Sequence, residues 1–194
     1  MEETLDQRLA GLIFTSAEVR SNFELLCDDL GSRFAGTKEE EAAARFLQEK
    51  LTQYGFSEVH LEEFQYNGWT RGEARLTVIK PWIRELKCLS LPMSPPGKVQ
   101  GAVIDLDRGA PEDFERQTEM LRGNIALVNI ANPVSSGRWI QRIEKYNRSV
   151  LAGASAFIFM GNAEGYGAVT GALGFNRWGQ NPGIGISRVT GLKL

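Results

Sequence analysis

Apolar residues recur along this chain with two different periods, and the change of period divides it. From Ser16 to Leu30, the residues Val19, Phe23, Leu26 and Leu30 follow one another at spacings of three and four. That period predicts an amphipathic helix, with Gly31 as its stop. Thr37 with Glu40 three residues later reads as a capping box. It opens a second helix, predicted over Lys38 to Tyr54, with Ala43, Phe46, Leu47, Leu51 and Tyr54 as its apolar face and Gly55 as its terminator. From Phe56 to Tyr66 the period drops to two, with Val59, Leu61 and Phe64 set against His60 and Glu62, which predicts a strand.

The second half reads differently. Strands are predicted over Ala74 to Lys80, ended by Pro81, and over Val99 to Leu106, with a proline-rich loop from Leu91 to Gly97 between them. Pro111 to Leu121 carries a short helical pattern. Asn124 to Ile130 and Ala154 to Met160 are nearly continuous apolar runs, as strands buried on both faces require. Between them Trp139 to Leu151 is amphipathic through Ile140, Ile143, Tyr146 and Val150, and Gly153 ends it. Strand, helix, strand in that order is a βαβ unit with parallel strands. Gly161 to Gly183 reads as a long loop, and Ile184 to Ser187 as a last short strand. The glycines agree with this division: 7 fall in residues 1–97 and 14 in residues 98–194.

Composition then excludes several classes of function. In a chain of 194 residues, a 42% apolar fraction suffices for a core and 24% charged residues is ordinary. The net charge of −2, without a basic stripe, argues against a nucleic-acid partner. The sole histidine, His60, rules out any His-rich zinc motif within these residues. Cys27 and Cys88 form no C-x-x-C pair and are expected to be reduced. The acidic N-terminus shows no basic segment leading into an apolar run, and no stretch is apolar enough to span a bilayer. Both points favour a cytoplasmic protein with no membrane partner.

The remaining motifs read as structure. His60-Leu61-Glu62 offers only two side chains toward a metal, so His60 is taken as an exposed strand histidine. The glycines of 161–167 have neither the G-x-G-x-x-G spacing nor a closing G-K-[ST], and read as a surface loop rather than a phosphate cradle. Asn147-Arg148-Ser149 is a glycosylation sequon by pattern, but it lies inside a predicted helix. Ser155 is not on a G-x-S-x-G elbow. No catalytic constellation is visible from spacing alone.

Two stretches resemble a known family. Leu121 to Val128, the helix after it, Leu151 to Phe159, and Asn181 to Ser187 (Asn-Pro-Gly-Ile-Gly-Ile-Ser) look like the successive segments of a protease-associated (PA) domain. This resemblance covers residues 98–194. Leu30 to Thr37, the helix containing Ala42 to Leu47, Tyr54-Gly55-Phe56 and Val59 to Phe64 are similar to the N-terminal segment of di-zinc aminopeptidases, including leucyl aminopeptidases and glutamate carboxypeptidase. In that family a PA domain often follows this segment, and the zinc ligands (an H-x-D, a bridging Asp, a Glu-Glu pair and a final His) come later. None of those ligands is present here, so no catalytic or metal residue carries over.

The resemblance therefore implies an α/β fold: a helical N-terminal segment of a peptidase-like domain over residues 1–66, with one strand of a peptidase-type sheet, and a PA-like β-barrel or sandwich with flanking helices over 67–194. It also implies the non-catalytic part of a zinc-dependent aminopeptidase or exopeptidase, truncated before its catalytic half. Two zinc ions are expected in the intact enzyme and none in this chain. The implied role is to shape substrate access or dimer contacts, with a peptide substrate, a protein partner or a second copy as partner. Phe175, Asn176, Arg177 and Trp178 are the residues placed nearest such a partner, since Arg and Trp recur at binding hot spots. Family members can also be secreted. The rival reading is a free-standing PA-type interaction module. A helical segment without its covering sheet is further expected to expose Phe23, Leu26, Phe46 or Leu51, or to bury them by dimerisation.

Overall fold

The computed structural model describes residues 4–175 and 177–194. Among them the chain forms two compact units, Met1–Gly68 and Trp69–Leu194.

The first unit is helical. Helix α1 (Leu5–Thr15) was not expected from the pattern; Thr4 caps it, its hydroxyl accepting from the Gln7 N–H while the Gln7 side chain reaches back to the Thr4 N–H. Helix α2 (Glu18–Glu24) replaces the first half of the predicted helix, and its continuation is a π-helical turn, Leu25–Asp29. Gly31 follows at φ +60°, the left-handed stop that the sequence indicates. Helix α3 (Lys38–Gln53) matches its prediction: the Thr37 hydroxyl accepts from the Glu40 N–H, and Gly55 stands beyond it at φ +86°. The predicted strand over Phe56 to Tyr66 does not form. A strand needs a partner ladder, and among the described residues of this unit no other strand exists to supply one. Polar ties hold the segment instead, such as Gln48 Nε2 donating to the Val59 carbonyl (3.2 Å).

Burial in this unit is slight. Ala43 is its one buried apolar residue among those described, whereas Phe23 and Leu51 are exposed and Leu26 and Phe46 half-buried. Lys50 crosses from α3 to α2 to meet Glu18 at 2.8 Å. The hydrogen bond between them holds the Glu18 carboxyl below, and the Lys50 amine above, its ordinary range.

The second unit is a three-layer arrangement around a five-stranded mixed sheet. A hairpin comes first: β1 (Leu76–Val78) pairs antiparallel with β2 (Arg84–Leu86), Leu76 opposite Leu86. The sheet contains β3 (Leu89–Ser90), β4 (Val103–Asp105), β5 (Ile125–Asn129), β6 (Ala156–Met160) and β7 (Gly183–Ile186), in the order β3-β7-β6-β5-β4. Only β3 runs antiparallel to its neighbour. Helices α4 (Pro111–Arg116) and α5 (Thr118–Leu121) connect β4 to β5, and α6 (Arg142–Leu151) connects β5 to β6 as the expected βαβ crossover. The long loop after β6 reaches β7, and α7 (Arg188–Gly191) ends the chain.

Alternation on the central strands builds both faces. In β5 and β6, Ala126, Val128, Phe157 and Phe159 point to one side, where Phe114, Leu121, Tyr146 and Leu173 complete the larger cluster. Leu127 and Ile158 point to the other, with Ile186 and the half-buried Leu76 and Cys88. Two-sided burial is why these strands read as unbroken apolar runs. β3 and the hairpin strand β2 escaped the pattern, because two- and three-residue strands are too short to show a period.

Candidate functional site

In open sheets with parallel strands, ligand sites collect beyond the strands' C-terminal ends. Here that edge is formed by the loops after β4, β5 and β6, and one helix organises all of it. Side chains of α6 bond the loops after β5 and β6, and its Lys145 stem lies beside the loop after β4.

Lys145 is fully buried. Its Nζ donates to the carbonyls of Asn129 (3.0 Å) and Ala131 (2.7 Å), closing the strand β5 turn. Burial pushes its amine down to about 8, although the Asp107 carboxylate works the other way. Arg142 Nε donates to the Ala172 carbonyl (2.8 Å), and its guanidinium lies 5.9 Å from the Phe159 ring centroid. The Tyr146 hydroxyl donates to the Asn181 carbonyl (2.9 Å) and accepts from the Asn181 N–H (2.8 Å). The loop from 161 to 182 is thus held at both 172 and 181. Gly109, at φ +64°, lets the β4 loop pass beside this helix: a Cβ there would meet Val128 and the Lys145 stem.

The outer face of α6 carries charge. Arg138 grips Glu144 with both terminal nitrogens, 2.7 Å and 2.6 Å, and Arg148 adds bonds from the next turn. The arginine hydrogen bonds hold the Glu144 carboxyl down to about 2. An open groove runs beside this triad, lined by Trp139, Ile143, Asn147, Leu151 and Phe175. Trp139, Leu151 and Phe175 are all exposed there.

The residues singled out from sequence are placed as follows. Phe175 stands at the groove, 77% exposed. Arg177 is exposed, and Trp178 is 52% exposed. Asn176 lies outside the described residues. Within α6 the expected apolar stripe is partly replaced: Tyr146 is buried, but Ile143 faces the groove, and Lys145 and Ser149 occupy the interior. Lys145 takes that place with its long stem reaching two backbone carbonyls. No sequence signal marks a buried lysine. The Glu144–Arg148 spacing of i,i+4 on a predicted helix is a signal that could have found this ion pair.

His60 is exposed but on irregular chain rather than a strand; its Nδ1 donates to the Glu58 carbonyl (2.8 Å) and its Nε2 lies 3.4 Å from Glu62. Among the described residues no three His, Cys, Asp or Glu side chains converge as metal ligands. Cys27 and Cys88 are free thiols, and desolvation raises the Cys88 thiol. No helix among the described residues is long and apolar enough to cross a membrane.

Comparison with known proteins gives the site its setting. No family model matches the chain. Carboxypeptidase Q of Mus musculus is 32% identical over 108 residues, covering 54% of this chain and 23% of that protein. Carboxypeptidase Q of Homo sapiens is 30% identical over 122 residues, covering 60% and 25%. The chain thus spans about a quarter of the length of these relatives. An aminopeptidase from Aneurinibacillus sp. strain AM-1 superposes with a TM-score of 0.64 at 25% identity, over 92% of this chain and 40% of its own. A peptidase M28 precursor from Shewanella amazonensis SB2B gives 0.73 at 21% identity, over 96% and 45%, a likeness of fold. The chain resembles a part of the di-zinc aminopeptidases and of carboxypeptidase Q: in sequence over somewhat more than half of its residues, in fold over nearly all of them.

Proposed function

We propose that this chain is the non-catalytic portion of a zinc-dependent exopeptidase, a peptidase-type N-terminal segment followed by a PA-like domain. Its second unit would shape substrate access or dimer contacts. The observation that carries the reading is the likeness to carboxypeptidase Q and to the bacterial aminopeptidases, which covers most of this chain and less than half of theirs. In the intact enzyme, zinc would activate a water for attack on a peptide carbonyl. The residues of this chain would contribute walls: the loops pinned by Arg142, Lys145 and Tyr146, and the exposed Phe175, Arg177 and Trp178. A cytoplasmic location belongs to the same reading.

A second reading has its own observation. The groove beside Arg138, Glu144 and Arg148, with three exposed large apolar side chains, suits a free-standing interaction module that takes a peptide or protein partner.

The test uses the purified 194-residue chain with aminoacyl-nitroanilides and added zinc. The expected result is no turnover above the blank. Zinc-dependent turnover that a chelator abolishes would overturn the non-catalytic assignment.

A further inference from the structure

The tip of the β1–β2 hairpin has no role in the reading above, and its composition is unusual for a solvent-exposed turn. The connecting residues Ile79, Lys80, Pro81, Trp82 and Ile83, with Arg84 beginning β2, are all exposed. Trp82 is 67% and Ile83 81% exposed, and Ile79 lies beside them at 48%. A soluble hairpin normally ends in small polar turn residues. This one presents three large apolar side chains flanked by two cations, with no carboxylate from Ile79 to Arg84.

The strands behind the tip leave the charge uncancelled. On the whole hairpin Arg75, Lys80, Arg84 and Lys87 face Glu73 and Glu85. Arg75 is engaged by Glu73 at 2.8 Å and lies in the field of Glu85 as well. Among the described residues Lys80, Arg84 and Lys87 make no ion pair, so the hairpin carries an excess of two positive charges in a chain whose net charge is −2. The base of the hairpin is anchored: Leu86 is buried and Leu76 packs into the second core cluster. The tip is thus an apolar point on an anchored base, with Lys80 and Arg84 as a cationic collar.

We propose that this tip docks the protein onto an anionic lipid surface. Trp82, Ile83 and Ile79 would enter the boundary between headgroups and acyl chains, where an indole satisfies both its apolar ring and its N–H. Lys80 and Arg84 would meet lipid phosphates and carboxylates from the collar. The charge pattern selects this occupant: a neutral bilayer would use only the apolar point, and a free anion only the cations. Such contact is peripheral and reversible, and it differs from the membrane independence that the sequence pattern alone suggests.

The experiment is co-sedimentation of the full chain with vesicles of phosphatidylcholine alone and of phosphatidylcholine with 30% phosphatidylserine, at low and high salt. Binding is expected to the anionic vesicles, to weaken in salt, and to fall at least tenfold in the double variant Trp82→Ala, Ile83→Ser. Single reversal of a collar charge, Lys80→Glu or Arg84→Glu, is expected to cost about fivefold or more, since each cation near a charged leaflet contributes on the order of 1 kcal/mol. Trp139→Ala, at a comparably exposed tryptophan in the loop before α6, should leave partitioning unchanged. Each altered side chain is exposed, so the melting transition serves as the control for folding. Absent partitioning to the anionic vesicles, equal binding to neutral ones, or an equal loss in Trp139→Ala would overturn the proposal. So would dimerisation in solution that Trp82→Ala abolishes, which would assign the tip to a second protein surface.

Discussion

At the scale of single residues, Lys145 shows the price a fold accepts to close a turn. A lysine ammonium in a protein interior forfeits hydration, which is why its amine titrates near 8. In return it satisfies two backbone carbonyls at the end of β5. The sign of the resulting pH dependence follows. Below pH 8 the lysine is protonated both folded and unfolded, and the burial cost is present in full. Between pH 8 and the ordinary lysine range, the unfolded chain binds the proton that the folded chain has released, so stability rises with pH. Urea unfolding from pH 7.5 to 10.5 is expected to show that rise in the parent chain and to lose it in Lys145→Met. The substitution is also expected to destabilise by about 1–2 kcal/mol at pH 7, since it removes the donor to two half-buried acceptors. A parent chain whose stability is flat over that interval would refute the assignment. Nothing in the sequence marks this residue: lysines are almost always solvated, and its neighbours on the helix, Glu144 and Arg148, do point outward.

At the scale of elements, legibility depended on length and on having a partner. β5, β6 and α6 were readable because five- and ten-residue elements show their period, and because burial on both faces leaves an apolar run. α3 was readable from its cap and its terminal glycine. The alternation of Phe56 to Tyr66 is real, but alternation specifies a face and not a ladder; without a neighbouring strand the segment stays irregular. α1 was missed because its first turn reads as an acidic terminus rather than as a capped helix. The organising role of α6 was hidden for a different reason: the residues that tether each loop are polar, and polar positions look interchangeable until their distant partners are known. The tether can be tested in Tyr146→Phe. Removing the hydroxyl leaves the Asn181 N–H and carbonyl without their partner, with an expected loss of about 1–2 kcal/mol. Limited proteolysis should then cleave within 161–182 faster than in the parent chain, and an unchanged cleavage pattern would show that the loop is held elsewhere.

At the scale of the whole molecule, the two units differ in how much they bury. The second encloses a two-sided sheet and thirteen buried residues in its larger cluster. The first leaves Phe23, Leu51, Tyr54 and Phe56 exposed, which is the surface expected of a segment that packs against more protein than it carries itself. That asymmetry and the likeness to part of carboxypeptidase Q and of the bacterial aminopeptidases support the same account. Of the residues lining the groove, Phe175 was named from the sequence, whereas the part formed by Trp139, Ile143 and Leu151 depends on how α6 is turned about its axis. The central claim, that these residues work alongside a zinc-bearing half, is tested most directly by reading the coding sequence beyond Leu194. The account predicts an in-frame continuation with an H-x-D followed by a Glu-Glu pair. A stop codon directly after Leu194 would contradict it.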